Sequence, residues 1–226
     1  MRLLSPGASN PKTAKSERLG YETAILHLAP HKQSGYNLCP SASEACANVC
    51  LYHQGRGRMD SVQAARIRKS VWYIEERDTF LDQLRKDIVS LMRRADRQGR
   101  TPCVRLNGTS DIRWERHGIM EEFPELQFYD YTKHANRWEI PDNYHLTFSR
   151  SECNELDAID ALSRGRNVAA VFATELPETW EGAPVHDADE HDLRFLDPVP
   201  SVAGLLAKGT AKKDTSGFVI LNRERK

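Results

Sequence analysis

The chain has 226 residues, and its 32 lysines and arginines balance its 32 aspartates and glutamates. A hydrophobic fraction of 39% beside 28% charge supplies a core and excludes wholesale disorder. Zero net charge argues against a surface built for general nucleic-acid or anionic-membrane binding, and no apolar run approaches the ~20 residues that span a bilayer.

Residues 1–20 are polar, rich in small side chains, and lack the apolar stretch of a secretory signal; they read as an arm on a cytoplasmic protein. A first strand is expected at 21–28, where Thr23, Ile25 and Leu26 supply β-branched and apolar character, and Pro30 ends it. Residues 31–59 have neither a helical nor a strand period and carry Cys39, Cys46 and Cys50, so they read as a long functional loop. Residues 60–97 are helical. Val62, Ile67, Val71 and Ile74 form one apolar stripe, and Phe80, Leu84, Ile88, Leu91 and Ala95 a second, with a break near 76–78. The arginines and lysines on the other face read as solvated surface. Strand-like runs then recur at 103–106, 126–132, 144–149, 167–172 and 217–221, with a short helix at 152–164. This alternation predicts βαβ units, a parallel sheet and a single α/β domain over 1–226, of complete or partial (β/α) barrel type.

Chemistry in parallel α/β folds gathers where the strands end. The second predicted strand runs into Asn107, Gly108, Thr109, Ser110 and Asp111, all turn formers or hydrogen-bonding groups, and Arg105 sits inside that strand. In the third, Asp130 and Thr132 share one face while Tyr129, Tyr131 and Lys133 share the other. Whichever face points inward brings Asp130 or Lys133 into the mouth of the fold, and both are candidate catalytic groups. His145, Thr147 and Ser149 share a face of the fourth strand, and Ser149 completes the candidate funnel.

Five cysteines make a poor disulfide framework, but Cys39-x6-Cys46-x3-Cys50 packs three thiols into twelve residues. Three thiolates suit a [4Fe–4S] cluster with one iron open to water, substrate or cofactor, or a zinc ion completed by His53. Cys103 and Cys153 read as small packing residues, and His27 and His31 as ordinary strand or loop histidines. The run from His186 to Asp192 reads as a solvated loop with a local ion pair, and 208–213 as an exposed basic loop. Gly55-Arg56-Gly57-Arg58 is a basic element placed to meet nucleic acid or to neutralise an anionic cluster.

RLNGTSD at 105–111, FYDYTK at 128–133 and DLRFLDP at 192–198, with 21–30, 35–50 and 208–218, resemble the mycobacteriophage gene product 88 family nearly end to end. That resemblance implies a phage or prophage origin and a host-cytoplasm setting. In architecture the chain also resembles radical SAM enzymes, which hold a [4Fe–4S] cluster on three cysteines after the first strand of a partial barrel. This likeness implies S-adenosylmethionine on the open iron, with 107–111 holding its amino-acid end. The cysteine spacing here is longer than the usual Cys-x3-Cys-x2-Cys, and Asn107-Gly108-Thr109 replaces a Gly-Gly-Glu motif. The expected function is therefore a radical-SAM-like enzyme acting on a small molecule. The alternatives are a non-catalytic iron–sulfur sensor or electron carrier, and a zinc-stabilised nucleic-acid-binding module.

Overall fold

The computed structural model describes residues 1–7 and 14–221. Its frame is a set of parallel strands: β2 (Tyr21–Leu26), β3 (Thr101–Arg105), β4 (Gln127–Thr132), β5 (Tyr144–Ser149), β6 (Val168–Phe172), β8 (Ala183–Asp187) and β9 (Val202–Leu206). Edge strands β1 (Leu4–Pro6) and β7 (Thr179–Trp180) are antiparallel to their neighbours. The order is β1-β2-β3-β4-β5-β6-β9-β8-β7, and β10 (Val219–Ile220) adds parallel to β6. β5 pairs with only the first two residues of β6, at Val168 and Ala169, and β10 takes up Val171 and Phe172 where β5 has parted.

Strand alternation assigns the two faces. Ala24, Leu26, Val104, Leu106, Phe128, Tyr144 and Leu146 pack with α2 (Asp60–Glu75) and α3 (Arg77–Arg97), through Tyr73, Phe80, Leu84, Ile88 and Leu91. Farther along the same face, Phe148, Val168, Ala170, Phe172 and Val202 pack on Ala158, Ala161 and Leu162 of α4 (Glu155–Ser163). The helix break falls at Glu76, whose φ of −132° and ψ of 56° leave the helical region. Phe80 sits edge-on to Trp72 and Tyr73 and holds that corner. The other face carries Thr23, Cys103, Tyr129, Tyr131 and Ala203. Its lower part is covered by 188–197, with Leu193 packed on Cys103 and Tyr129, and Phe195 edge-on to Tyr21 and Tyr129.

The barrel expectation is corrected at the level of closure: the sheet does not close, and β1 and β7 stand at opposite edges. Nor does each strand follow its predecessor outward, because β9 is inserted between β6 and β8. Sequence reasoning missed β8 and β9, and Gly204 explains part of that. A Cβ there would lie 2.7 Å from Val185 Cγ1 and 2.8 Å from Leu176 Cδ2, so this mid-strand glycine marks close packing where it reads as a break. The N-terminal arm is also corrected in part. Asp87 Oδ2 accepts the backbone N–H of Leu3 at 2.6 Å and of Leu4 at 2.9 Å, and Lys69 donates to Leu3 O, which seats β1 against the helices. Residues 15–19 form a 3-10 turn, and the remainder of the arm, 8–13, lies outside the described residues. Among the described residues no helix is long and apolar enough to cross a membrane.

Candidate functional site

The C-terminal ends of β2 to β6 converge under the cysteine loop. That loop is tied down by backbone bonds. Ala29 N–H donates to Ser70 Oγ, Leu38 N–H to His31 O, and Asp111 N–H to Leu38 O. Inside the loop, which the sequence leaves without a regular element, Ser43 caps the short helix α1 (Glu44–Asn48) by accepting the N–H of Cys46 at 3.1 Å. Glu152, from the turn after β5, accepts both the Ser43 hydroxyl and the Ala45 N–H, and so clamps this helix over the sheet. Cys46 lies in α1, Cys50 just beyond it, and Cys39 before it. All three are half-buried free thiols.

The thiols influence one another. Burial pushes Cys39 up to about 12, with a backbone hydrogen bond at His31 opposing and Asp111, Cys50 and Cys46 adding to the rise. Burial also raises Cys50, and Cys46 adds to this, while a backbone bond at Tyr52 and the cations Arg66 and Lys133 pull it down. Cys39 Sγ donates to Thr109 O at 3.7 Å. Among the described residues, no group of three or more His, Cys, Asp or Glu stands close enough to hold a single metal ion. His53 is exposed. A four-iron cube makes a different demand, since each thiolate binds a different iron and the sulfurs stand farther apart than around one ion. What the loop offers toward such a cluster is three half-buried thiols, with Arg66 and Lys133 acting on Cys50.

The 107–111 loop is braced from within. Asn107 Oδ1 accepts from Ser110 Oγ at 2.9 Å, Ile112 N at 2.9 Å and Trp114 Nε1 at 3.1 Å, and its Nδ2 donates to Ile112 O. Thr109 Oγ1 donates to Leu28 O at 2.6 Å, and Asp111 Oδ2 accepts Lys133 N–H at 2.8 Å. Gly108 is forced by contact: a Cβ there would lie 2.7 Å from Leu26 O and 2.8 Å from His27 Cδ2. The expected cradle is thus a bracket joining β2, β3 and β4, with its side chains engaged on one another and on neighbouring backbone.

Asp130 and Lys133 part company. Asp130 lies on the face of Phe128 and is fully buried, accepting Asn107 N–H at 2.7 Å and Tyr144 OH at 2.9 Å. Burial raises it to about 7 against the opposing pull of Arg105, these two hydrogen bonds and Arg137. Lys133 lies on the opposite face and donates to Ser149 Oγ at 2.7 Å, so those two candidates do meet, beside Cys50. His134 links the cysteine loop to the bracket, through Ser41 Oγ at 3.0 Å and Asp111 O at 3.2 Å.

Several site residues escape sequence reasoning. Arg66 and Lys69 belong to the helix face read as solvated, yet both are half-buried: Arg66 acts on Cys50, whereas Lys69 is spent on Leu3 O at the edge strand. The available signal is α2 itself, whose apolar stripe is too thin for a helix with an idle second face. His27 is held neutral, down to about 3, by burial and then by Arg66, Arg105 and Lys69, with Asp192 opposing. Asp192 is also corrected: it is buried, and its Oδ2 takes Arg105 Nη1 at 3.0 Å and the Tyr129 hydroxyl at 3.4 Å. Cys103 is buried beside Thr23 Oγ1 at 3.2 Å, and Cys153 is exposed.

No curated protein and no solved structure matches the chain. A family model described as Gene product 88 matches residues 2–222, and the chain belongs to that phage protein family.

Proposed function

We propose that the chain is an iron–sulfur protein in which Cys39, Cys46 and Cys50 hold a [4Fe–4S] cluster with one iron free of protein ligands, working as a radical-SAM-like enzyme on a partial-barrel scaffold. The observation that carries this reading is the delivery of three half-buried thiols by one loop to the C-terminal edge of a parallel sheet. When bound, such a cluster supplies one-electron chemistry and an open coordination position for S-adenosylmethionine or a small substrate. The chain's own residues do the rest. Arg66 and Lys133 offset the negative charge of three thiolates, and burial of the loop limits water at the sulfurs. Lys133, held by Ser149, is the candidate for handling a proton beside the cluster. Asp130 positions the bracket through Asn107 and is not itself a group that meets substrate.

The test is anaerobic purification followed by iron and sulfide analysis, with roughly four of each per chain expected. Cys39→Ala, Cys46→Ala and Cys50→Ala should each lose the cluster, and Cys103→Ala should keep it. Colourless protein with one tightly held zinc would overturn the reading. A reduced cluster whose EPR spectrum is unmoved by S-adenosylmethionine would leave an iron–sulfur protein but remove the radical-SAM part.

A further inference from the structure

Residues 209–217 bridge two fixed points beside the cysteine loop. On the near side, Ala207 N–H donates to Phe172 O at 2.9 Å, and Lys208 Nζ meets Asp189 Oδ2 at 2.7 Å. On the far side, β10 is paired to β6, and the buried Arg150 donates through Nη1 to Gly217 O and, at 3.0 Å, to Phe218 O. Between them the chain folds into a 3-10 turn (Gly209–Lys213), and Cys46 packs on a small cluster of Ala45, Ala207, Ala211, Phe218 and Val219. The span is lightly held. Ala211 supplies its apolar contact, and Gln54 Nε2 donates to Thr210 Oγ1 at 3.2 Å in an exposed position. Asp214 latches the turn, its Oδ2 accepting Val219 N–H at 3.0 Å and its Oδ1 the Ser216 hydroxyl at 2.6 Å. Both ends are glycines in the left-handed region, Gly209 at φ 55° and Gly217 at φ 91°, with a rotational freedom that other residues lack. Nor does the span close fully on α1. A cleft of about 480 Å³ lies between them, with Asn48, Val49 and Glu152 on one bank and Lys213, Asp214 and Thr215 on the other.

We infer that residues 209–217 form a lid, hinged at Gly209 and Gly217, that opens this cleft and uncovers the Cys46 thiol to small polar molecules. Segments anchored at both ends and held by few buried contacts open locally at low cost. Opening breaks the Gln54–Thr210 and Asp214–Val219 bonds and lifts Ala211 from its cluster, while Arg150 keeps the far hinge on the sheet. The cleft is of a size that admits a small molecule, and polar side chains on both banks favour one that forms hydrogen bonds. As regulation of the cysteine site the inference rests on the proposed function; the motion itself does not.

The test is alkylation of iron-free, full-length protein by N-ethylmaleimide, with the rate at each cysteine read by mass spectrometry. Thr210→Val removes the exposed tie and leaves every cysteine and the buried core in place. It should raise the Cys46 rate about two- to tenfold, as expected for loss of one hydrogen bond from the closed state. Asp214→Ala, which unlatches the turn, should raise it by at least as much. Cys39, which donates to Thr109 O and lies outside the lid's cluster, should react at the wild-type rate in both variants, and so should exposed Cys153. Buried Cys103 should not react, which verifies that the fold is intact. A Cys46 rate unchanged in both variants would overturn the lid. So would an equal rise at Cys39, which would mean that the whole loop loosens. Iron uptake by the same proteins separates the two readings. Faster Cys46 alkylation in protein that takes up no iron keeps the lid and sinks the cluster, whereas full iron uptake with unchanged alkylation keeps the cluster and sinks the lid.

Discussion

Asp130→Asn separates the two roles open to a buried carboxylate at a strand end. The side chain is fully buried, and its two oxygens accept Asn107 N–H and Tyr144 OH. Burial, outweighing Arg105 and the two hydrogen bonds, lifts it from 3.8 to about 7. The sign follows from that direction: the folded state binds the proton more tightly than the unfolded one. Its contribution to stability is complete below pH 3.8 and is lost as pH rises toward and through about 7. A rise of about three units at ~1.4 kcal/mol each is on the order of 4 kcal/mol between those limits. An amide keeps an oxygen for Asn107 and can donate to the Tyr144 oxygen, and it has no charge to bury. Asp130→Asn should therefore gain on wild type from pH 4 to about pH 7 in urea unfolding and level off above it. Asp130→Ala, which strands two buried donors, should cost about 2–6 kcal/mol at pH 5. Both variants lack a carboxylate. If Asp130 serves only to position the bracket, Asp130→Asn keeps iron content and turnover while its stability profile changes. A wild-type-to-Asn difference that is flat with pH would refute the argument from burial, and loss of turnover with intact cluster would return Asp130 to the catalytic role.

Two further outcomes follow from local geometry. Gly108→Ala forces a Cβ to within 2.7 Å of Leu26 O and of Ile25 Cγ2. Overpacking of this kind costs about 2 kcal/mol, or a Tm loss of roughly 4–8 °C for a chain of this size, and an unchanged melt would mean that the bracket yields freely. His145 is lowered to about 4 by burial, with Arg166 and Arg194 adding and Asp197 opposing. Its neutral form therefore stabilises the fold fully above pH 6.5, and that contribution fades as pH falls toward 4 at up to ~1.4 kcal/mol per unit. His145→Gln should flatten that part of the acid-unfolding profile, and an unaltered profile would exclude a buried neutral histidine.

The long elements are legible because each obeys one period over many residues. The α2–α3 pair is expected at 60–97 with a break near 76–78, and it occupies 60–75 and 77–97 with the break at Glu76. Strands β2 to β6 lie within a few residues of their expected places. What fails is local. β8 contains Pro184, and β9 is built of small residues around Gly204, so neither has the β-branched alternation of a strand; both depend on a partner that only the fold supplies. Closure of the sheet is likewise a property of strand order, and β9 slipping between β6 and β8 leaves no mark on periodicity.

The site divides along the same line. Residue type alone singled out Cys39, Cys46 and Cys50, and strand alternation offered Lys133 and Ser149 as separate candidates that the fold brings together. It could not tell which face of β4 turns to the cysteine loop, and so it offered Asp130 and Lys133 together. The structure separates them through their neighbours: Phe128 takes Asp130 to the helix side, and Tyr131 takes Lys133 to the other. Arg66 and Asp192 were invisible for a related reason. A charged residue on a polar stretch looks solvated in sequence, and only long-range packing reveals that Arg66 meets the cysteine loop and that Asp192 is sealed against Arg105. Buried charge is therefore where sequence reasoning loses most at this site: its partners come from distant parts of the chain, and no local pattern announces them.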